Sequence, residues 1–165
     1  MSDPNGLIQP GRSAPGFTLA GTPDGRQIGP QQFRGRPVVL AFYPADWSPV
    51  CGDQMSLYQA AAPMFDQYQA VLLGLSVDSI WSHRAFAESR GIEFPLLADF
   101  EPKGEVARRY GAYTPQGEAA RALVVLDPAG TVAWSYLSPP EVNPGADGII
   151  EALDRLTADR RVMAG

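Results

Sequence analysis

The sequence predicts an α/β fold in which a mixed β-sheet is flanked by helices on both faces. Three apolar runs of strand length predict buried strands, at residues 38–43, 71–77 and 122–126. Segments with helical spacing of apolar residues follow the first two runs, and another such segment ends the chain. Alternating strands and helices are typical of a sheet that is covered on both faces, so we expect one domain over residues 1–165.

Two β-hairpins are expected in this fold. The N-terminal β-hairpin lies between residues 14 and 28, after a loose polar lead-in at 1–12, because Asp24-Gly25 is a strong turn signal. The second hairpin lies at 122–137, where Asp127-Pro128-Ala129-Gly130 turns the third strand back along the sheet.

Helices account for most of the remaining chain. The segment that begins at Cys51 has apolar residues at steps of four and three, and Pro63 is expected to kink it because proline donates no backbone hydrogen bond. Asp78 or Ser79 caps the next helix, which Gly91 ends. The other expected elements are a short extended segment at 95–97, a short helix at 103–110 and a last helix at 147–160.

Composition argues against several classes of protein. The net charge is −5 at pH 7, Lys103 is the one lysine, and no basic stripe is visible, so we expect no nucleic-acid partner. Apolar runs are far shorter than the roughly 20 residues that span a bilayer, so we expect no membrane insertion. The first residues lack the pattern of a signal peptide, and one cysteine cannot form an internal disulfide. These features predict a cytoplasmic location.

Cys51, the only cysteine, stands where the first buried strand gives way to a helix. The first N–H groups of a helix have no intrahelical partner and its dipole is positive there, which favours a thiolate. The dipole supplies up to about 2 kcal/mol, whereas keeping a thiol mostly ionised at neutral pH requires roughly 3.4 kcal/mol. An arginine near the sulfur is therefore expected. A cysteine–histidine pair remains open only through His83, the single histidine.

Other residues of the loop support a reactive thiol. Ser48 lies three residues before Cys51, so its hydroxyl can face the same pocket and both accept and donate hydrogen bonds. Pro44 and Pro49 stiffen the loop and can shield the sulfur from water. Taken singly, a lone cysteine is usually a buried apolar residue, such a serine only caps a helix, and Arg121 is a surface or structural charge. Their combination after a buried strand favours a reactive cysteine over a purely structural one.

The segment Pro44-Ala45-Asp46-Trp47-Ser48-Pro49-Val50-Cys51 resembles the signature of the peroxiredoxins, the alkyl hydroperoxide reductase / thiol-specific antioxidant family. That signature is Pro, three residues, Thr or Ser, two residues, Cys. The similarity extends to segments 14–19, 76–86, 94–99 and 121–127. It implies a thioredoxin-like fold with an N-terminal β-hairpin. It also implies a thiol-dependent peroxidase for hydrogen peroxide and organic hydroperoxides, and we expect neither a cofactor nor a metal.

The resemblance implies a catalytic role for four residues. Cys51 is the peroxidatic nucleophile, which attacks one peroxide oxygen and becomes a sulfenic acid. Arg121 is the arginine that the charge argument requires. Ser48 holds the peroxide through its hydroxyl, and Pro44 shields the sulfenic acid.

Three further positions bear on the implied substrate site. The backbone N–H groups at Val50 and Cys51 hold the peroxide oxygens. Gln54 falls where many relatives have Glu, and it can hydrogen-bond Arg121 with one less negative charge nearby. Some relatives carry Cys at the position of Ser82. Whether this serine is a natural loss or a replacement remains open.

Recycling and assembly are implied in the same way. No second cysteine is present, so a 1-Cys cycle is expected in which an external thiol reduces Cys51: glutaredoxin, thioredoxin or a low-molecular-weight thiol. The family's helix that corresponds to the one bearing Trp81 and Phe86 lies near a common dimer contact. We therefore expect a homodimer there, with Trp47 at its rim.

Two alternative functions remain open on the same fold. A thiol–disulfide oxidoreductase needs a second thiol, which Cys51-Gly52-Asp53-Gln54 lacks, so only a monothiol mechanism is compatible with this sequence. A peroxide sensor or holdase would use the oxidised state without turnover, and fold alone does not exclude it.

Overall fold

A seven-stranded mixed β-sheet runs through the computed structural model, which describes residues 6–164 and the side chains up to residue 159. The strand order is β2-β1-β5-β4-β3-β6-β7, with β3, β4 and β5 parallel and the other neighbours antiparallel. The strands are β1 (Leu19–Gly21), β2 (Arg26–Ile28), β3 (Val38–Phe42), β4 (Val71–Ser76), β5 (Leu96–Ala98), β6 (Ala122–Leu126) and β7 (Val132–Leu137).

The inner strand β3 contributes to two hydrophobic cores, one on each face of the sheet. Val38, Leu40 and Phe42 belong to the core on one face of the sheet, whereas Val39 and Ala41 belong to the core on the other. All five are buried, because helices or loops cover both faces. This is why the sequence shows an unbroken apolar run there instead of an alternating pattern.

Five α-helices flank the sheet in the described part of the chain. They are α1 (Pro49–Ala60), α2 (Ala62–Gln67), α3 (Ile80–Arg90), α4 (Glu105–Arg109) and α5 (Asp147–Ala164). Buried residues of α1, α2, α3 and α5 form the core that contains Cys51, and α4 packs on the opposite face. Among the helices described, none combines the length and the apolar character that crossing a membrane requires.

The kink expected at Pro63 is a complete break between two helices. The Ala61 N–H still donates to the Leu57 carbonyl and closes α1, and the Met64 N–H donates to the Ala61 carbonyl in the next turn. Pro63 therefore falls in the first turn of α2, where its missing N–H would have had no intrahelical acceptor.

The segment at residues 6–12 is packed, so the expectation of a loose lead-in is wrong for this part. Leu7 and Ile8 are buried, and the Ile8 N–H donates to the Tyr110 carbonyl at 2.9 Å. Apolar side chains and backbone hydrogen bonds thus fix the segment against the sheet. Residues 1–5 lie outside the described chain.

The other boundaries follow the sequence closely. Both hairpins are present, although β1 begins only at Leu19. Ser79, and not Asp78, caps α3 by accepting from the Ser82 N–H at 3.2 Å, and Gly91 ends that helix in the left-handed conformation.

Candidate active site

Ser48 begins helix α1 as its N-cap. Its Oγ accepts a hydrogen bond from the Cys51 N–H at 3.2 Å, and Pro49 follows at the first helical position, so the helix starts two residues earlier than expected. The serine hydroxyl keeps its own proton free to donate. The Cys51 N–H already has an acceptor in Ser48 Oγ, and its expected role toward a peroxide oxygen stays a prediction.

Cys51 occupies the third residue of α1 and is buried, with 0% of its surface exposed. It belongs to the core that also contains Val39, Met55 and Phe86. Ser48 and Val50 beside it are partly exposed. An oxidant therefore contacts the sulfur only when neighbouring side chains of the loop or the first helical turn move.

Arg121 reaches this region through strand pairing. Phe42, at the end of β3, pairs with Ala122, at the start of antiparallel β6. Arg121, the residue before Ala122, therefore lies at the same end of these strands as the loop that follows Phe42. The Arg121 side chain is 2% exposed, and its Nη1 donates to Gln54 Oε1 at 2.7 Å, one helical turn after Cys51.

The positive charge of Arg121 has no acidic partner in the part of the chain that the structure describes, where no carboxylate forms an ion pair with it. Its Nε donates to the Pro140 carbonyl at 2.8 Å, so both known partners are neutral. A buried guanidinium with neutral partners retains its attraction for an anion, and its remaining N–H groups can donate to oxygen.

A cavity of about 370 Å³ opens onto Arg121 and Pro44. The loop after β7 forms part of its wall through Pro139 and Pro140, and residues 114–120 contribute the other side. Cys51 does not line this cavity. The structure thus brings Pro44 and Arg121 to one cavity, whereas the sulfur of Cys51 is buried.

His83 is not available as a base for Cys51. Its Nδ1 lies 2.8 Å from Asp46 Oδ2, and its Nε2 lies 3.0 Å from the Leu97 carbonyl, so both ring nitrogens have partners. Tyr43 donates to the other oxygen of Asp46 at 2.7 Å. The cysteine–histidine alternative is therefore wrong. No sequence pattern indicates this network, since Asp46 and His83 lie far apart along the chain.

The Asp46 network also gives Ser82 a structural role. The Ser82 hydroxyl donates to Asp46 Oδ2 at 2.9 Å. Ligand atoms of Asp46, Asp78 and His83 lie within 4.8 Å of one another, but each already has hydrogen-bond partners within the network. These hydrogen bonds hold Asp46 in place, and with it the loop between Pro44 and Cys51.

The aromatic residues near the site divide into surface and core. Trp81 is 72% exposed and Trp47 is 54% exposed, so both can contact another chain. Phe86 is 0% exposed and packs edge-on against Trp47, with ring centroids 5.4 Å apart. Phe86 is therefore a core residue that supports Trp47, and its expected place in an interface is wrong.

A family model described as AhpC/TSA family matches residues 10–135. The chain belongs to the AhpC/TSA family. Among curated AhpC/TSA-like relatives, a peroxiredoxin of Thermotoga petrophila is 35% identical over 152 residues, covering 87% of this chain and 70% of that protein. A chloroplastic peroxiredoxin Q of Oryza sativa subsp. japonica is 35% identical over 133 residues, covering 79% and 60% respectively.

Solved structures agree with the AhpC/TSA assignment. The reduced 2-Cys peroxiredoxin of Plasmodium vivax superposes with a TM-score of 0.85 at 25% identity, covering 92% of this chain and 83% of that one. Mycobacterium tuberculosis AhpC, at 22% identity, shares the fold with a TM-score of 0.82 over 92% of this chain and 99% of its own. The expected peroxiredoxin resemblance and thioredoxin-like fold are confirmed, and the single cysteine fits a 1-Cys type.

Proposed function

We propose that this chain is a thiol-dependent peroxidase that reduces hydrogen peroxide and organic hydroperoxides at Cys51. The observation that carries the proposal is a buried guanidinium with no carboxylate partner among the described residues. It is hydrogen-bonded one helical turn from the sole cysteine, which lies at a helix N-terminus. Both features favour an anion at the sulfur and donate to negative oxygen. Membership of the AhpC/TSA family supports the same activity.

The first half of the cycle oxidises Cys51. The thiolate sulfur forms a bond to one peroxide oxygen as the O–O bond breaks, and the second oxygen leaves with the bonding electrons. That oxygen takes up a proton and departs as water or an alcohol, and Cys51 becomes a sulfenic acid. Negative charge accumulates on the leaving oxygen, so donors fixed around it lower the barrier.

Four groups are proposed to act on the peroxide. Free N–H groups of Arg121 and the backbone N–H of Val50, which lies in the first turn without an intrahelical acceptor, donate to its oxygens. The Ser48 hydroxyl donates its remaining proton. Pro44 covers the approach to the sulfur from the cavity that it shares with Arg121.

The second half of the cycle needs two external thiols. One thiol attacks the sulfenic sulfur, and water leaves as a mixed disulfide forms. The second thiol attacks the external sulfur of that disulfide, which releases Cys51 as a thiolate. No resolving cysteine exists within these 165 residues, so the electrons come from glutaredoxin, thioredoxin or a low-molecular-weight thiol. Supplying each in turn and measuring sustained peroxide consumption identifies the reductant.

Stopped-flow oxidation of the reduced protein tests the proposal directly. We expect hydrogen peroxide and an organic hydroperoxide to oxidise Cys51 with second-order rate constants above about 10⁴ M⁻¹s⁻¹, within the usual enzymatic range. Free cysteine at the same pH is the reference. Oxidation no faster than this reference would overturn the peroxidase. Fast oxidation without turnover by any of the three reductants would favour the sensor.

A homodimer through the exposed face of Trp47 and Trp81 is part of the proposal, because large exposed aromatic side chains are typical of interface anchors. Replacing Trp81 with Glu is expected to convert the dimer to a monomer, since it places a charge in an apolar contact. Sedimentation equilibrium measures the mass. The matched control is Met64→Glu, which changes a 48% exposed side chain on α2 and should leave the mass unaltered. An unchanged mass for the Trp81 variant counts against this contact.

A cytoplasmic location is proposed from cysteine usage alone. A single thiol that must stay reduced between cycles suits a reducing compartment. Fractionation of cells that express the tagged chain checks it, and recovery from an oxidising compartment would contradict it.

A further inference from the structure

A chain of hydrogen bonds runs behind the Arg121 guanidinium to the loop before α5. Arg121 Nη1 donates to Gln54 Oε1 at 2.7 Å, Gln54 Nε2 donates to Tyr58 Oη at 2.9 Å, and Tyr58 Oη donates to the Gly145 carbonyl at 3.1 Å. Gln54 and Tyr58 are both 0% exposed. Water therefore does not substitute for a missing partner at Gln54 or Tyr58, whereas Gly145 at the end of the series is partly exposed.

Each hydrogen bond in this series has only one possible donor and acceptor. A guanidinium only donates, so Gln54 must present its oxygen to Arg121 and its NH₂ group to Tyr58. The Tyr58 hydroxyl then accepts from Gln54, and its single proton goes to the Gly145 carbonyl. Burial raises the pKa of Tyr58 to about 12, so the hydroxyl keeps that proton at neutral pH.

The series of hydrogen bonds ends in the loop that forms one wall of the cavity beside Arg121. Gly145 lies in the loop between β7 and α5, and the same loop supplies Pro140, whose carbonyl accepts from Arg121 Nε at 2.8 Å. Pro139 and Pro140 line the cavity with Arg121. The guanidinium is thus connected to this loop by two routes. Its Nε donates directly to Pro140, and its Nη1 is linked to Gly145 through Gln54 and Tyr58.

We propose that Tyr58 is a positioning residue for Arg121 and that Gln54 and Tyr58 act as a matched pair; this rests on the proposed peroxidase function. Without the Tyr58 hydroxyl, Gln54 Nε2 is a buried donor with no acceptor, and the Gly145 carbonyl loses its donor. The Gln54 side chain is then more stable in a rotamer that gives its NH₂ group another acceptor. That rotamer breaks its hydrogen bond with Arg121 Nη1. The guanidinium loses its fixed direction toward the peroxide although no residue that touches substrate has changed.

The matched pair makes a distinctive prediction about glutamate at position 54. A carboxylate only accepts, so beside Tyr58 it competes with the Gly145 carbonyl for a single proton. Beside phenylalanine at position 58, a carboxylate still accepts from Arg121 and leaves no unpaired donor. Gln54→Glu is therefore expected to slow peroxide oxidation in the wild type and to speed it in the Tyr58→Phe variant.

The test compares Tyr58→Phe with a matched loss of another buried hydroxyl. Tyr58→Phe is expected to slow oxidation of Cys51 by hydrogen peroxide about tenfold, the effect of one lost hydrogen bond. The control is Tyr110→Phe, because the Tyr110 hydroxyl donates to the Pro15 carbonyl at 2.7 Å in the core on the other face of the sheet. It should lower the melting temperature comparably and leave the oxidation rate unchanged.

The rate at which iodoacetamide alkylates Cys51 at each pH gives a second readout that needs no peroxidase activity. Tyr58→Phe is expected to move this profile to higher pH, whereas Tyr110→Phe should leave it unchanged. A wild-type rate and profile in folded Tyr58→Phe, equal slowing in Tyr110→Phe, or no rescue by Gln54→Glu would each overturn the inference. Slow peroxide oxidation of the wild type would instead overturn the peroxidase, and the alkylation profiles would still decide the role of Tyr58.

Discussion

Replacing Cys51 with serine is expected to lower peroxide consumption by at least about 10³-fold, to the background of the assay. The serine hydroxyl is not ionised at neutral pH and oxygen is a far weaker nucleophile toward peroxide than a thiolate. No other cysteine in the sequence can replace it. The measurement is loss of hydrogen peroxide in the presence of whichever reductant sustains turnover of the wild type.

Stability controls separate this chemical effect from misfolding. Cys51 is buried in an apolar core, so a serine hydroxyl there is expected to cost about 1–2 kcal/mol of unfolding free energy. Cys51→Ala removes the nucleophile without burying a polar group. Both variants should unfold cooperatively in urea and both should be inactive. Turnover by either folded variant would contradict the assignment of Cys51.

Replacing Arg121 with alanine is expected to slow the oxidation of Cys51 by about 10²–10³-fold, the usual effect of removing one preorganised donor to developing charge. The guanidinium is the positive group hydrogen-bonded to α1 near the sulfur, and its described partners are neutral. Its loss therefore removes both stabilisation of the thiolate and a donor to the leaving oxygen. Stopped-flow tryptophan fluorescence after mixing with peroxide measures the rate.

Two further variants interpret the Arg121 result. Arg121→Lys keeps the charge but not the planar arrangement that reaches Gln54 and Pro140 together, so an intermediate rate is expected. Arg155→Ala removes an exposed arginine from α5 and should leave the rate unchanged. Because Arg121→Ala leaves the buried Gln54 Oε1 without its donor, about 1–3 kcal/mol of stability should be lost. A folded Arg121→Ala protein that oxidises at the wild-type rate would show that another group activates Cys51.

Much of the fold could be predicted because its strongest signals are local. The three apolar runs match the buried strands β3, β4 and β6, since strands covered on both faces need apolar residues at every position. Turn residues located both hairpins. The packing of Leu7 and Ile8 escaped prediction, because their partner, Tyr110, lies about a hundred residues away.

The candidate site was only partly accessible to the same reasoning. The spacing of Pro44, Ser48 and Cys51 lies within one loop and helix turn, so a sequence pattern can carry it. The helical spacing of apolar residues in the sequence indicates Tyr58 only as an apolar position on the face of α1. Its hydroxyl gains a role from Gly145, and no periodicity in the sequence brings those two residues together.

The sequence by itself determined the candidate nucleophile, its place at a helix start and the order of strands and helices, because each depends on neighbours within a few residues. Only the tertiary structure decided that His83 is hydrogen-bonded to Asp46, that Phe86 is buried in the core, and that Arg121 donates to Gln54 and Pro140. Those contacts join segments far apart along the chain, and strand pairing and side-chain packing alone bring them within hydrogen-bonding distance.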